Sequence, residues 1–202
     1  GGVTSAAPSF AMWQISRIIR HSPALTQEFD TGLDELQARL SAVNDTEFNT
    51  AFSSLLELYG SRGPNEWELR SQTWETNPEL ALALIDRMRL AADDQDPQIR
   101  HQEAKERSST ALSELRTMVS GDETSAGTLE IAVTSSSVFI PARENAKTAI
   151  VKVVHEVRLA ALELGRRLAE DGRLEDQKHI FMLQDKELEE AIAGNMAKEA
   201  SD

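Results

Sequence analysis

Two short stretches of this chain bring together side chains able to do chemistry. The first is Arg62-Gly63-Pro64-Asn65-Glu66-Trp67-Glu68, with Trp74 soon after. It sets a fixed cation, acids and indole rings in a segment that glycine and proline keep from being helical. Such a segment must satisfy its own polar backbone, and loops carry function more often than the elements they join. The second is Phe139-Ile140-Pro141-Ala142-Arg143-Glu144-Asn145-Ala146-Lys147. On a helix Arg143 and Lys147 share a face, Glu144 and Lys147 are three apart, and Arg158 lies eleven residues beyond Lys147 on the same side. Three cations and one acid on a stripe suit contact with an anion or a ligand; the alternative is a ladder of ion pairs worth tenths of a kcal/mol each.

No complete catalytic constellation accompanies these stretches. His21, His101, His155 and His179 are scattered without metal-ligand spacing and read as surface or helix-flank residues. No phosphate loop surrounds Gly60 or Gly63, and no serine sits in a nucleophile elbow. Glu187, Glu189, Glu190, Asp93 and Asp94 read as solvated faces. The chain has no cysteine, which excludes thiol catalysis, disulfides and thiolate metal sites. No catalytic, cofactor-binding or metal residue is therefore assigned. The net charge of −13 argues against a nonspecific grip on nucleic acid or an anionic membrane. No apolar run approaches the roughly 20 residues of a membrane span. No signal peptide is visible, so a cytoplasmic location is the expectation. The Gly1-Gly2 start, without Met, reads as processed or engineered.

The elements that must position these residues are helices. Of the 202 residues 40% are hydrophobic but only 5% aromatic, and Leu, Ala, Glu and Arg abound. Ser22-Pro23, Asn77-Pro78 and Asp96-Pro97 pair an N-cap residue with proline at the first helical position, and Ala7-Pro8 and Ile140-Pro141 are weaker versions. Apolar residues recur at helical spacing from Phe10 to Ile19, from Leu25 to Val43 with an interruption at Gly32, and from Phe48 to Tyr59, where Gly60 closes the run. Leu80 to Met88 continue the pattern. From Pro97 to Val119 the apolar face is narrow, as on a partly solvated helix. Residues 121–127 read as a break, and 129–139 as a short strand or more helix. The strongest periodicity runs from Ile150 to Leu168, with Asp171-Gly172 as its left-handed stop. Asp185 caps a last helix. The expected architecture is all-α or nearly so: one irregular multi-helix domain over 9–192, with long antiparallel helices and a structured loop at 60–76. Residues 1–8 are expected to be a flexible start or an engineering scar, and 193–202 a frayed tail.

Three stretches in order resemble the phosphoenolpyruvate-synthase-like enzymes, the group that includes the rifampicin phosphotransferases. Tyr59 to Leu69 with Trp74 and Asn77-Pro78 is similar to their GxRGPxExDL…PRWxEDP segment; Arg143-Glu144-Asn145-Ala146-Lys147 is similar to their RExxK helix start. Leu164-Gly165-Arg166-Arg167-Leu168 through Leu174, with His179 to Leu183 and Glu187-Leu188, is similar to their LGxxLxxxGxL…DIFxLxxxEL ending. The match departs at Trp67, where the family has a smaller residue, and at Ser71-Gln72-Thr73, which lacks the usual Pro-Arg before Trp74.

The resemblance implies a helical middle domain that holds the acceptor substrate. It implies an ATP-grasp domain and a swivelling phospho-histidine domain on the same polypeptide, with ATP and Mg²⁺ serving the full-length enzyme and no cofactor in this fragment. The acceptor would be a hydroxyl of a small, largely apolar molecule such as an antibiotic. A pyruvate acceptor ranks lower, because the synthases bind pyruvate on a separate barrel. The fragment would not be catalytically complete by itself. Candidate substrate-binding or domain-contact residues are Arg62, Glu66, Trp67, Trp74, Arg143, Glu144 and Lys147, which either touch substrate or brace the fold. The simplest brace would pair Arg62 with Glu144, or Glu66 with Arg143. The alternative function is a non-catalytic helical protein-interaction module.

Overall fold

In a computed structural model the described residues are 6–194, and among them the regular structure is helical, without a strand. The elements are α1 (Ala7–His21), α2 (Pro23–Thr31), α3 (Leu36–Val43), α4 (Thr46–Tyr59), α5 (Glu79–Leu90), α6 (Pro97–Val119), α7 (Glu123–Glu170) and α8 (Asp185–Ala193). Single 3₁₀ segments lie at Asp93–Gln95 and Gln177–Met182. The start expected to be flexible lies outside the described residues up to Ser5, and helix is already established at Ala7. Most of the expected frayed tail, 195–202, also lies outside them.

The chain divides into two compact units. One comprises Gly1–Gly60 and Trp74–Thr148; the other comprises Ser61–Thr73 and Ala149–Asp202. In the first unit α1 to α5 enclose the main core, built from Met12, Ile15, Ile19, Leu25, Phe29, Leu36, Leu40, Phe48, Phe52, Leu55, Leu82 and Ile85. Burying each such side chain contributes about 1.5–3 kcal/mol. Polar side chains close the seams. Arg89 joins α5 to α2 by bonding Asp86 and Asp30, each at 2.7 Å. Arg17 lies over the Trp13 ring at 3.9 Å and bonds Asp93 at 2.6 Å. The start signals work as their chemistry requires: Asp45 accepts from the Phe48 N–H at 3.0 Å, and Asp96 from the Gln98 N–H at 2.8 Å.

Still within the first unit, α6 and the first part of α7 form an antiparallel hairpin. The break is shorter than 121–127, because α7 already begins at Glu123. Asp122 caps it, accepting from the Ser125 hydroxyl and, at 3.1 Å, from the Thr124 N–H; these bonds hold its carboxyl below the ordinary range. Arg116 on α6 grips Glu130 on α7 at 2.7 and 2.9 Å. The ambiguous 129–139 segment is helix. Pro141 corrects the reading of Ile140-Pro141 as a helix start: it lies inside α7. Proline there removes one ladder bond, and the segments on both sides are long enough to continue the helix around that loss.

In the second unit, residues 149–170 of α7 are followed by a reversal and α8. Gly172 adopts φ 69°, and the Arg173 N–H reaches the Leu168 carbonyl at 2.8 Å while the Gly172 N–H reaches Ala169 at 3.0 Å, a Schellman stop. Leu168, Leu174, Ile180 and Ala191 form its core. Gln184, rather than Asp185, caps α8, with the Glu187 carboxylate accepting from the Gln184 N–H at 2.7 Å.

Candidate functional site

The turn from Ser61 to Thr73 belongs to the second unit. Its backbone forms only short turn bonds, Glu68 N–H to the Asn65 carbonyl at 3.1 Å and Ser71 N–H to that of Glu68 at 3.0 Å, so it calls on donors from elsewhere. Arg158 supplies them. Its Nε donates to the Leu69 carbonyl at 3.1 Å, and its Nη2 donates to those of Glu68 at 2.9 Å and Glu66 at 3.2 Å. Nη1 donates to His155 Nδ1 at 3.0 Å, so that nitrogen is the acceptor and the imidazole proton sits on Nε2. Arg158 is 1% exposed. Burial lowers its pKa from the usual guanidinium value, and Glu68 acts in the opposite direction.

Two sequence readings are corrected here. His155 is no surface or flank residue; it is 3% exposed, within 3.4 Å of the Thr73 hydroxyl. Arg158 is no part of an anion-contact stripe, because its donors face backbone carbonyls. Helical spacing reveals which residues share a face but not what packs against that face, and this hid both roles.

Within the turn Arg62 pairs with Glu66 at 3.1 Å, and the Glu66 side chain is nearly buried. The charge of Arg62 is thus answered four residues away. Gly63 lets the two ends of the turn approach: a Cβ there would lie 2.6 Å from the Gln72 carbonyl oxygen. Trp67 points its indole outward at 49% exposure.

The other candidates lie in the first unit. Trp74 is 8% exposed and packs in the main core. Arg143 pairs with its neighbour Glu144 at 3.3 Å and remains exposed, whereas Glu144 is mostly covered. Lys147 is half-buried. Ile140, Glu144 and Lys147 follow at i, i+4 and i+7, so the acid and the lysine continue the face on which Ile140 stands.

That face borders a cleft. Between α6 and α7 lies a groove of about 560 Å³, lined from α6 by Ser108, Ala111, Leu112 and Leu115. From α7 it is lined by Leu129, Ala132, Val133, Ser136, Ser137, Ile140 and Pro141. No lining residue is charged, in a chain where 27% of residues are. The volume suits a small molecule. Among the described residues no three His, Asp or Glu side chains gather as a metal site.

Residues 1–144 match the rifampicin phosphotransferase fourth domain. The chain belongs to that family. The matched span of this fourth domain includes the Arg62–Glu68 turn, the α6/α7 groove and Arg143-Glu144, and it stops before Lys147. Among curated proteins none matches the chain. Among the described residues no helix is long and apolar enough to cross a membrane.

Proposed function

We propose that this chain is the acceptor-binding part of a multidomain, ATP-dependent phosphotransferase, and that the α6/α7 groove holds the acceptor. The observation that carries the reading is an uncharged groove of small-molecule size inside a rifampicin phosphotransferase fourth domain. A largely apolar wall favours a largely apolar molecule, and seating it in the groove would orient its hydroxyl for attack. That hydroxyl would attack the phosphorus of a phospho-histidine on another domain of the same polypeptide, breaking the N–P bond and releasing the hydroxyl proton. Nucleotide and Mg²⁺ would act on the ATP-grasp domain, and no residue here is assigned to them.

Arg143 and Lys147, one and two turns beyond Ile140, stand where cations could meet the incoming phosphoryl group; Glu144 orients Arg143 through their ion pair. Arg62, Glu66 and Trp67 are proposed for domain contact, with exposed Trp67 as the anchor.

The test joins the full chain to ATP-grasp and phospho-histidine domains of a family member and follows phosphate transfer to a rifamycin. Val133→Asp should raise KM strongly by charging the groove. Arg143→Ala should lower kcat by more than about tenfold, the loss of roughly 1.4 kcal/mol of transition-state stabilisation. A Val133→Asp protein with unchanged KM would remove the groove from the site.

The second reading, a non-catalytic interaction module, draws on another part of the same hairpin. Met118, Ile131, Val138 and Phe139 are 58–79% exposed. The two readings separate on whether transfer activity or partner binding depends on the groove or on these residues.

A further inference from the structure

Helices α3 and α4 do not close completely over the main core. Between them, with Leu82 of α5 also in its wall, lies a cavity of about 260 Å³. Its apolar part is buried: Leu40, Phe48, Phe52 and Leu82 are 0–8% exposed. Phe48 and Phe52 stack there, with ring centres 5.6 Å apart and planes 11° from parallel. The remaining wall is mostly polar. Gln37 and Ser41 stand one turn apart on α3, and Asn49 and Ser53 one turn apart on α4, so each helix contributes a carboxamide and a hydroxyl. The Ser41 hydroxyl donates to the Gln37 carbonyl at 2.9 Å. Among the described residues the side chains of Gln37, Asn49 and Ser53 have no hydrogen-bond partner in the protein, although Asn49 is half-buried. No lining residue is charged, and none is shared with the α6/α7 groove.

We propose that this cavity is a second binding site, for an uncharged, single-ring aromatic amide. The proposal stands apart from the acceptor-binding reading, since neither site contributes a residue to the other. Size sets the first limit. An apolar cavity of roughly 150 Å³ is enough for benzene, so this one holds a ring and a short substituent. The buried phenylalanines and leucines favour an apolar ring. A carboxylate or ammonium would lose hydration and meet no opposite charge. A carboxamide presents a donor beside an acceptor, and the ligand edge that answers both at once is another amide. An ester of the same shape offers acceptors alone and leaves the donor half of the match unmade. A polar site of this kind discriminates against an analogue lacking the donor more strongly than an apolar wall does against extra bulk.

The test titrates the full chain with benzamide, methyl benzoate and benzoate, followed by amide chemical shifts in two-dimensional NMR. Benzamide should move the signals of Phe48, Asn49, Phe52 and Leu82 saturably. Methyl benzoate should bind at least about fivefold more weakly, the size of one net hydrogen bond, and benzoate should not bind. Asn49→Leu keeps the fold, because leucine favours helix and the amide holds no bond within the protein. In that variant benzamide should fall to the level of the ester, with the ester unweakened. Ser53→Trp, at the exposed edge, should exclude both. Equal affinity of amide and ester for the native chain overturns the proposal, as does binding of benzoate or a preference that survives Asn49→Leu. Val133→Asp keeps this site distinguishable from the groove between α6 and α7: benzamide binding should be unchanged in it. Loss of binding there, or shifts confined to residues of that groove, places the probe in the other site and overturns this one.

Discussion

The turn at Ser61–Thr73 and the α6/α7 groove solve the backbone's hydrogen-bonding problem in opposite ways. The turn is irregular, so its carbonyls depend on a donor from another element, and one buried arginine serves three of them. That leaves Arg158 fully engaged and unable to receive a ligand. The groove is walled by two regular helices that satisfy their own backbones, apart from the carbonyl opposite Pro141. Its side chains are therefore free to shape a space. The chemically richer segment is the more committed one, and the plainer segment offers the cavity.

That contrast breaks first, and with the largest effect, at Arg158. Arg158→Leu takes a donor from three carbonyls, of which that of Glu68 keeps the Ser71 N–H at 3.0 Å, and should destabilise the second unit by about 3 kcal/mol. Urea unfolding of the full chain measures it, and hydrogen exchange should rise across residues 61–73. Arg158→Lys should recover only part, because an ammonium cannot span carbonyls that a planar fork bridges. Val133→Asp, facing the open groove, should cost less than about 1 kcal/mol. Equal losses at Arg158 and Val133 would erase the distinction.

Glycine substitutions sharpen the same comparison at smaller scale. At Gly63 a methyl would meet the Gln72 carbonyl oxygen, a backbone atom that cannot step aside, so Gly63→Ala should destabilise by about 2 kcal/mol. Gly127, in α7 near the groove, has nothing within 4 Å of the added carbon. Gly127→Ala should stabilise by about 0.5–1 kcal/mol through helix propensity alone. Thermal unfolding of the two variants should shift in opposite directions.

Local signals carried the helices and failed where the answer depended on what lay across from them. Asp45 and Asp96 announce helix starts because capping needs only the next few N–H groups. Ile140-Pro141 carries the same starter chemistry, yet nothing local tells a starting proline from one tolerated inside a long helix. The 129–139 stretch sets Leu129, Ile131 and Val133 at alternate positions and soon follows them with three consecutive serines, which suits a short strand as well as a helix; the hairpin with α6 decides for helix. The turn was legible as a specific structure, and its i, i+4 partner Glu66 stood beside Arg62 in plain sight. The clasp was not legible, because His155 and Arg158 on α7 reach residues 82 to 92 positions away in sequence. The groove escaped notice because α6 looked merely solvated, and only the facing helix turns its few apolar residues into a wall.

The smallest expected effect lies at a second arginine site on α7, where exposure replaces burial. Glu163 accepts from Arg166 at 2.8 and 2.9 Å and from Arg167 at 2.8 Å. The Arg166 bonds first, and then that of Arg167, hold its carboxyl well below the usual value of 4.5, at about 2. A depressed acid contributes stability that is fully present above its unfolded pKa and is lost as pH falls through the folded one. The loss from this ladder should therefore develop between about pH 4.5 and about 2. Solvent screens the exposed pairs, so the midpoint of unfolding should barely move in that window. The carboxyl carbon shift of Glu163 is the sensitive measurement: it should titrate near 2 in the native chain and upward of that in Arg166→Ala. Arg158 uses the same guanidinium chemistry two turns earlier and should behave in the opposite way, insensitive to acid at its own carbonyl contacts yet decisive for folding. If neutralising Glu163 cost as much stability as removing Arg158, burial would not be what gives the clasp its weight.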